Sequence, residues 1–249
     1  MDMLSVVVRR KWAVAQDIVG LELVADAQVK LPAFAAGAYI DVHIPQHKCA
    51  QSIVRQYSLC NGPTDKDAYV LGIKEDSRSR GGSATIYRDV REGDKLFIGL
   101  PRNNFQLFDS SQKALLFAAG IGITPLLSMA QELAFNQRPF DLHYFARSTE
   151  FAAFQDRLSE MEHSGQVHYH YGLTPEATDR AVGYAVEAAP SNTHAYCCGP
   201  TAFMDVVAAH SRQWIYPQNI HLEYFYPPRQ CRLSDSMELK QERRDQFCA

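Results

Sequence analysis

The sequence predicts a six-stranded antiparallel β-barrel domain followed by an α/β domain built on a parallel sheet, and three observations predict it. The chain has 249 residues, and at roughly 100–200 residues per domain this suits one large or two ordinary domains. Up to Asn104 the chain alternates apolar and polar positions in short runs between turn residues, the pattern of half-buried antiparallel strands. Beyond Asn104, apolar strand-like runs alternate with helix-like ones, the pattern of βαβ units.

Taken in order, strands are expected at 4–14, 18–24, 39–44, 53–60, 69–74 and 95–100, with one helix at 83–90 opening just after Gly81 and Gly82. The second half supplies strands at 114–119, 142–146, 167–171 and 194–198, and helices at 125–135, 151–161 and 201–212. A polar connector at 102–112 holds Arg102, Asn103, Asn104, Asp109, Ser110 and Ser111, and divides domains expected at 1–105 and 106–226. Residues 227–249, from the Pro227-Pro228 pair onward, form a polar tail with little to bury.

Composition narrows the function classes. Hydrophobic residues make up 46% and charged residues 21% of the chain, the balance of a compact folded protein. A net charge of −3 with no Lys/Arg block argues against a nucleic-acid partner, because phosphate neutralisation needs a basic face. The longest apolar stretch, 114–130, is broken by Gly120, Gly122, Thr124 and Pro125, so it reads as strand, turn and helix rather than a membrane span. The N-terminus has no apolar core behind its Arg9-Arg10-Lys11 cluster, so no secretory signal is read and a cytoplasmic protein is expected. The six cysteines, at 49, 60, 197, 198, 231 and 248, match neither a disulfide framework nor a metal-binding CxxC pattern. Reduced thiols and no metal site are expected.

Four segments could carry chemistry. Arg55-Gln56-Tyr57-Ser58-Leu59-Cys60 ends a strand and offers a guanidinium fork for phosphate, a flat ring and a small hydroxyl. Arg80-Gly81-Gly82-Ser83 opens a helix, where free N–H groups and the dipole attract an anion and Ser83 can cap. Gly120-Ile121-Gly122-Ile123-Thr124-Pro125 links a strand to a helix, with close glycines for backbone approach, Thr124 as cap and Pro125 as first helical residue. It lacks the third glycine of the dinucleotide fingerprint. Tyr196-Cys197-Cys198-Gly199-Pro200-Thr201 ends the last long strand, at the sheet edge where ligands sit, with one cysteine expected buried and the other at the tip beside Gly199. In isolation, each suits ordinary structure: a barrel strand with an exposed Arg, a surface helix start, a tight turn, a buried thiol.

Their order is more specific. Arg-x-Tyr-Ser, Gly-Gly-Ser, Gly-x-Gly-x-Thr-Pro, Cys-Gly-Pro and then His221-x-Glu223-x-Phe225 together resemble the ferredoxin reductase superfamily, and within it the phthalate dioxygenase reductase family. The likeness spans 4–226 and includes the run from Tyr144 to Phe154. It implies a flavoprotein reductase component of a Rieske-type oxygenase. By resemblance, Arg55 and the Gly81-Gly82-Ser83 helix start hold the phosphate of FMN rather than FAD, with Gln56 and Arg80 also among the cofactor-binding residues. Tyr57 packs beside the ring, Ser58 lies near N5, and the backbone of Gly72-Ile73-Lys74 faces the ring edge. Gly120, Gly122 and Thr124 hold the pyrophosphate of NADH, and Cys198, Gly199 and Pro200 lie at the nicotinamide, with Phe225 covering the flavin. Arg147 could meet the 2′-phosphate of NADPH, or be a solvated loop residue. Ser58, Cys198 and Phe225 are the residues expected at the hydride-transfer centre.

Family members continue into a [2Fe–2S] domain with C-x4-C-x2-C and a distant fourth Cys. Cys231 and Cys248 do not provide that spacing, so no cluster in this chain is expected. The resemblance then implies a separate ferredoxin or ferredoxin-like subunit and a terminal oxygenase as partners. Alternative readings are a reductase of free flavin or ferric chelates, and a shortened, non-catalytic remnant.

Overall fold

The computed structural model describes residues 3–26, 30–46, 49–75, 82–161 and 165–225. The first half is one antiparallel sheet of six strands: β1 Met3–Ala15, β2 Ile18–Ala25, β3 Tyr39–Gln46, β4 Cys49–Ser58, β5 Tyr69–Lys74 and β6 Lys95–Gly99. Their order is β4-β3-β6-β1-β2-β5. The two outer strands meet where Leu59 bridges Leu71 and the Cys60 N–H donates to the Val70 carbonyl at 2.8 Å, so the sheet closes on itself at that end. Alternation turns Val6, Leu21, Leu23, Ile40, Val42, Ile73 and Ile98 into the barrel interior. Helix α1, Ser83–Asp89, adds Ile86 to that interior. Its last carbonyls are gathered by a single ammonium: Lys11 Nζ donates to Ile86, Tyr87 and Val90 at 3.1, 2.7 and 2.7 Å.

The second half is a parallel sheet of β7 Lys113–Ala119, β8 Phe140–Ala146, β9 Gln166–Tyr171, β10 Thr193–Cys198 and β11 Ile220–Glu223, ordered β11-β10-β7-β8-β9. Helix α2, Ile123–Phe135, buries Leu126, Leu127 and Leu133 on the front face against Leu116, Leu142, Tyr144 and Tyr196. The rear face is covered by α4 Pro175–Glu187 and α5 Thr201–Trp214, whose Val182, Val186, Met204 and Val207 pack on Leu115, Phe117, Phe145 and Cys197. Each such side chain removed from water is worth roughly 1.5–3 kcal/mol, which holds the helices to the sheet.

The front face also receives the barrel. Ile18, Cys60 and Val70 share its core. Gln131 on α2 clips the turn after β4: its amide nitrogen donates to the Cys60 carbonyl at 2.9 Å and its oxygen accepts from the Gly62 N–H at 3.0 Å. Ser128 donates to the Asn61 carbonyl at 2.8 Å.

Three local expectations are corrected. The helix expected at 151–161 is broken into a 3₁₀ turn, Thr149–Phe151, and a short α3, Gln155–Ser159, because Phe154 takes φ 59 to bury its ring. The connector at 102–112 is not merely polar, since Phe105 is buried and meets Tyr196 edge to face at 5.8 Å. Helix α4 and strand β11 lie where no element was expected. Among the described residues no helix is long and apolar enough to cross a membrane.

Candidate functional site

Arg55 and the start of α1 come together. A Cβ on Gly82, which sits at φ 70, would lie 2.8 Å from Arg55 Nε, so the guanidinium stem rests directly on the bare backbone there. Glycine is required twice over, for the left-handed backbone and for the contact. The cap expected of Ser83 is not formed: Gly82 is the N-cap residue, Ser83 is the first helical residue, and no side chain caps the helix. Arg80 and Gly81 lie outside the described residues. Gln56 is turned away from Arg55, donating to Asp41 at 3.1 Å on the opposite side of β4. Tyr57 packs against the barrel core and Ser58 is buried at the end of β4. On β5, Gly72 and Ile73 are buried and Lys74 is exposed. Ile73 sends its side chain into the barrel core, so only its backbone is available to a ligand.

The glycine turn is built differently from the expectation. Residues Gly120–Gly122 wind into a 3₁₀ turn that runs straight into α2, which therefore begins at Ile123. Thr124 and Pro125 become the second and third helical residues, and Thr124 Oγ1 donates to the Ile121 carbonyl at 3.0 Å rather than capping. Gly120, at φ 55, has open space where a side chain would be, while a Cβ on Gly122 would fall 2.1 Å from the Cys198 carbonyl oxygen. One glycine thus leaves room and the other is in backbone contact with the neighbouring strand. The Tyr144 hydroxyl donates to the Gly120 carbonyl at 3.1 Å and accepts from the Ala153 N–H at 2.9 Å. This positioning role was not read from the sequence, although Tyr144 opens a run already singled out there.

The two halves meet at these same residues. A Cβ on Gly72 would lie 2.8 Å from Thr124 Cγ2 and 3.0 Å from the Phe154 ring. Close by along the parallel sheet, β10 and β11 pair Cys198 with Glu223. The accessible tip expected for one cysteine is not found: both are fully buried, Cys197 in the rear core and Cys198 in the front one. Burial, then the neighbouring Glu223 and Cys197, push the Cys198 thiol well above its ordinary value, so it is a neutral group and no nucleophile. Burial likewise raises the Glu223 carboxyl to about 7, and its Oε2 has no hydrogen-bond partner among the described residues. Such an orphaned acceptor or donor suits a bound polar ligand.

The remaining site residues frame this edge. A Cβ on Gly199 would lie 2.8 Å from the Ala119 side chain, and Pro200 is the N-cap residue of α5, with no side-chain cap bond. Arg147 follows the last residue of β8, with its guanidinium carbon 3.8 Å from the centroid of the Phe151 ring. Phe225, the last described residue, is 41% exposed.

Comparison with known proteins then decides the family. Residues 116–209 match the oxidoreductase NAD-binding domain model. A vanillate O-demethylase oxidoreductase of Acinetobacter baylyi is 42% identical over 227 residues, which cover 90% of this chain and 69% of the relative. The phthalate dioxygenase reductase of Burkholderia cepacia is 38% identical, covering 86% and 65%. The chain belongs to the phthalate dioxygenase reductase family. A solved phthalate dioxygenase reductase, described as a modular structure for electron transfer from pyridine nucleotides to [2Fe–2S], superposes with a TM-score of 0.80 at 37% identity, covering 89% of this chain and 67% of that one. The chain thus spans about two thirds of the length of these relatives. As a phthalate dioxygenase reductase family member, it is an NAD(P)H-dependent oxidoreductase, and its NAD-binding domain is the parallel sheet with the Gly120–Gly122 turn.

Proposed function

We propose that this chain is the reductase component of an oxygenase system, taking hydride from NADH onto FMN and passing single electrons to a separate iron–sulfur or oxygenase partner. The observation that carries this reading is the close approach of Gly72 to Thr124, which brings the barrel and the glycine turn together. When bound, the nicotinamide supplies two electrons as hydride and the flavin divides them into single electrons. The flavin domain is assigned to 1–105, the nicotinamide domain to 106–226, and the tail 227–249 lies outside the described residues.

Each residue has a role that its surroundings support. Arg55 beside the bare start of α1 suits a terminal phosphate, which favours FMN over FAD. Ser58, with its hydroxyl at a strand end, can hydrogen-bond a ring nitrogen. Gly120 offers a pyrophosphate close approach, with Tyr144 fixing the turn. Glu223 offers a polar partner at neutral pH, and the neutral Cys198 thiol fills the space beside it without adding charge. The relatives support an external acceptor, one being named as a reductase subunit of phthalate 4,5-dioxygenase.

The test is purification followed by flavin identification and anaerobic NADH reduction. The expected result is one FMN per chain, reduced faster by NADH than by NADPH, with steady turnover needing an iron–sulfur acceptor. Arg55→Ala should lose flavin; Cys198→Ala should keep it and slow hydride transfer about tenfold. Full flavin content in Arg55→Ala removes the phosphate assignment. Bound FAD removes the FMN assignment, and turnover on free flavin alone points to a flavin reductase.

A further inference from the structure

The rear face of the parallel sheet carries side chains for which the flavin and nicotinamide reading has no use. The alternation that turns Leu142 and Tyr144 towards the front core turns Asp141, His143, His168 and His170 to the rear, on a face that a doubly covered parallel sheet ordinarily fills with apolar residues. His143 and His168 are register partners on β8 and β9, with stacked rings 4.5 Å apart. One ligand atom from each of Asp141, His143 and His168 lies within 4.8 Å of the others. Opposite them α4 contributes short side chains at Ala181 and Ala185 beside Tyr184, and a cavity of about 450 Å³ remains, lined by all three polar residues.

We propose that Asp141, His143 and His168 bind one divalent transition-metal ion of the zinc class, in this rear cavity and apart from the nucleotide edge. Two imidazoles and one carboxylate are a borderline-soft donor set that suits Zn²⁺ with a water in the fourth position. Bonds of about 2.0–2.1 Å in a tetrahedron place ligand atoms about 3.3 Å apart, so these three must close by up to about 1.5 Å, and His168 must rotate out of its 15° stack on His143 to aim its in-plane lone pair at the same ion. The cavity gives His168 and Asp141, both only partly buried, the room to turn. His143 is already oriented, because its Nδ1 lies 3.1 Å from His170 Nε2, which holds the ring and leaves its own Nε2 for the ion. Lys113 Nζ sits 2.6 Å from Asp141 Oδ2, which leaves the other carboxylate oxygen for the cation and opposes it by charge. Binding would add a side-chain cross-link to the pairing of the edge strand β9 with β8.

Equilibrium dialysis of chelator-treated full-length protein against Zn²⁺, read by metal analysis and thermal melting, tests this independently of flavin content. The expected result is one Zn²⁺ per chain and a higher Tm. His168→Ala and Asp141→Asn should each weaken binding about tenfold or more, while flavin content and NADH oxidation stay as in the parent. Lys113→Met should tighten binding. Bound Co²⁺ should give a nitrogen/oxygen-ligand spectrum without an intense thiolate band. Substoichiometric metal, unchanged affinity in His168→Ala, or a thiolate band would each overturn the proposal.

Discussion

His143–His170 and His194–His221 are the same device on opposite faces of one sheet. In each, Nδ1 of one ring lies 3.1 Å from Nε2 of a ring on the neighbouring strand. The surroundings differ. At the front, His221 is stacked between Phe108 at 4.9 Å and Tyr196 at 4.6 Å, and the Tyr196 hydroxyl accepts the Phe108 N–H at 2.9 Å. The groove of about 460 Å³ beside it is lined by amides, aromatics and Leu222. At the rear, His143 and His168 share their cavity with a carboxylate. A hydrogen-bonded histidine thus becomes a candidate ligand only where a second imidazole, His168 here, and an anionic donor, Asp141, stand beside it. Elsewhere it is a way to satisfy polar rings inside an aromatic stack.

The largest effect that would sharpen this contrast between faces is at the front, where backbone meets backbone. Gly122→Ala places a methyl 2.1 Å from the Cys198 carbonyl oxygen, and neither backbone can yield, so we expect a loss of roughly 3 kcal/mol in urea unfolding, at the high end for overpacking. A cost under about 1 kcal/mol would show that the front face is looser than described. Next is Glu223. Its folded carboxyl keeps a proton up to about pH 7, whereas an ordinary one loses it near 4.5. The stability this gives is full below pH 4.5 and is lost as pH rises to 7, by about 1–2 kcal/mol once solvent screening is allowed for. Glu223→Gln should therefore melt with the parent at pH 4.5 and above it at pH 8; parallel pH profiles would refute the burial of a charge there.

His221 should act in the opposite sense. Burial and His194 lower it to about 4 from 6.5, so the stability carried by its neutral ring is full above pH 6.5 and falls as the pH drops towards 4. His221→Asn should flatten part of that acid slope, by about 1 kcal/mol, in melts between pH 6.5 and 4.5. The smallest effect is expected at the rear. Ala185→Leu extends α4 into existing space, so stability should shift by less than about 1 kcal/mol while Zn²⁺ affinity falls. A large destabilisation would mean that the cavity is narrower than its lining suggests.

Much of this was legible in the sequence. Alternation in the first half and apolar runs in the second mark ten of the eleven strands among the described residues, because each buries at least one face. The short edge strand β11 has too few residues for a period, and the one start signal of α4 is local: Thr174, whose hydroxyl accepts the Ala177 N–H at 3.2 Å, followed by Pro175 at the first turn. Caps were misplaced at Ser83 and Thr124 because each helix begins on glycine, whose backbone needs no side-chain signal. Arg55 and Gly82 were linked by family likeness, and their contact depends on barrel closure that no local pattern encodes. The rear cluster was invisible: its ligands sit on two strands, interleaved with Tyr and Phe, and the pairing of His143 with His168 is set by register alone.

The amide clip at Gln131 has a mechanical meaning. With Gln131 spanning Cys60 and Gly62, and Ile18 and Val70 sharing the front core with α2, the two halves are soldered rather than hinged. Cutting between them would bare a hydrophobic seam on both pieces, so neither half is a transplantable part. Engineers who wish to exchange the nicotinamide preference of this reductase should graft the whole seam along with the pocket.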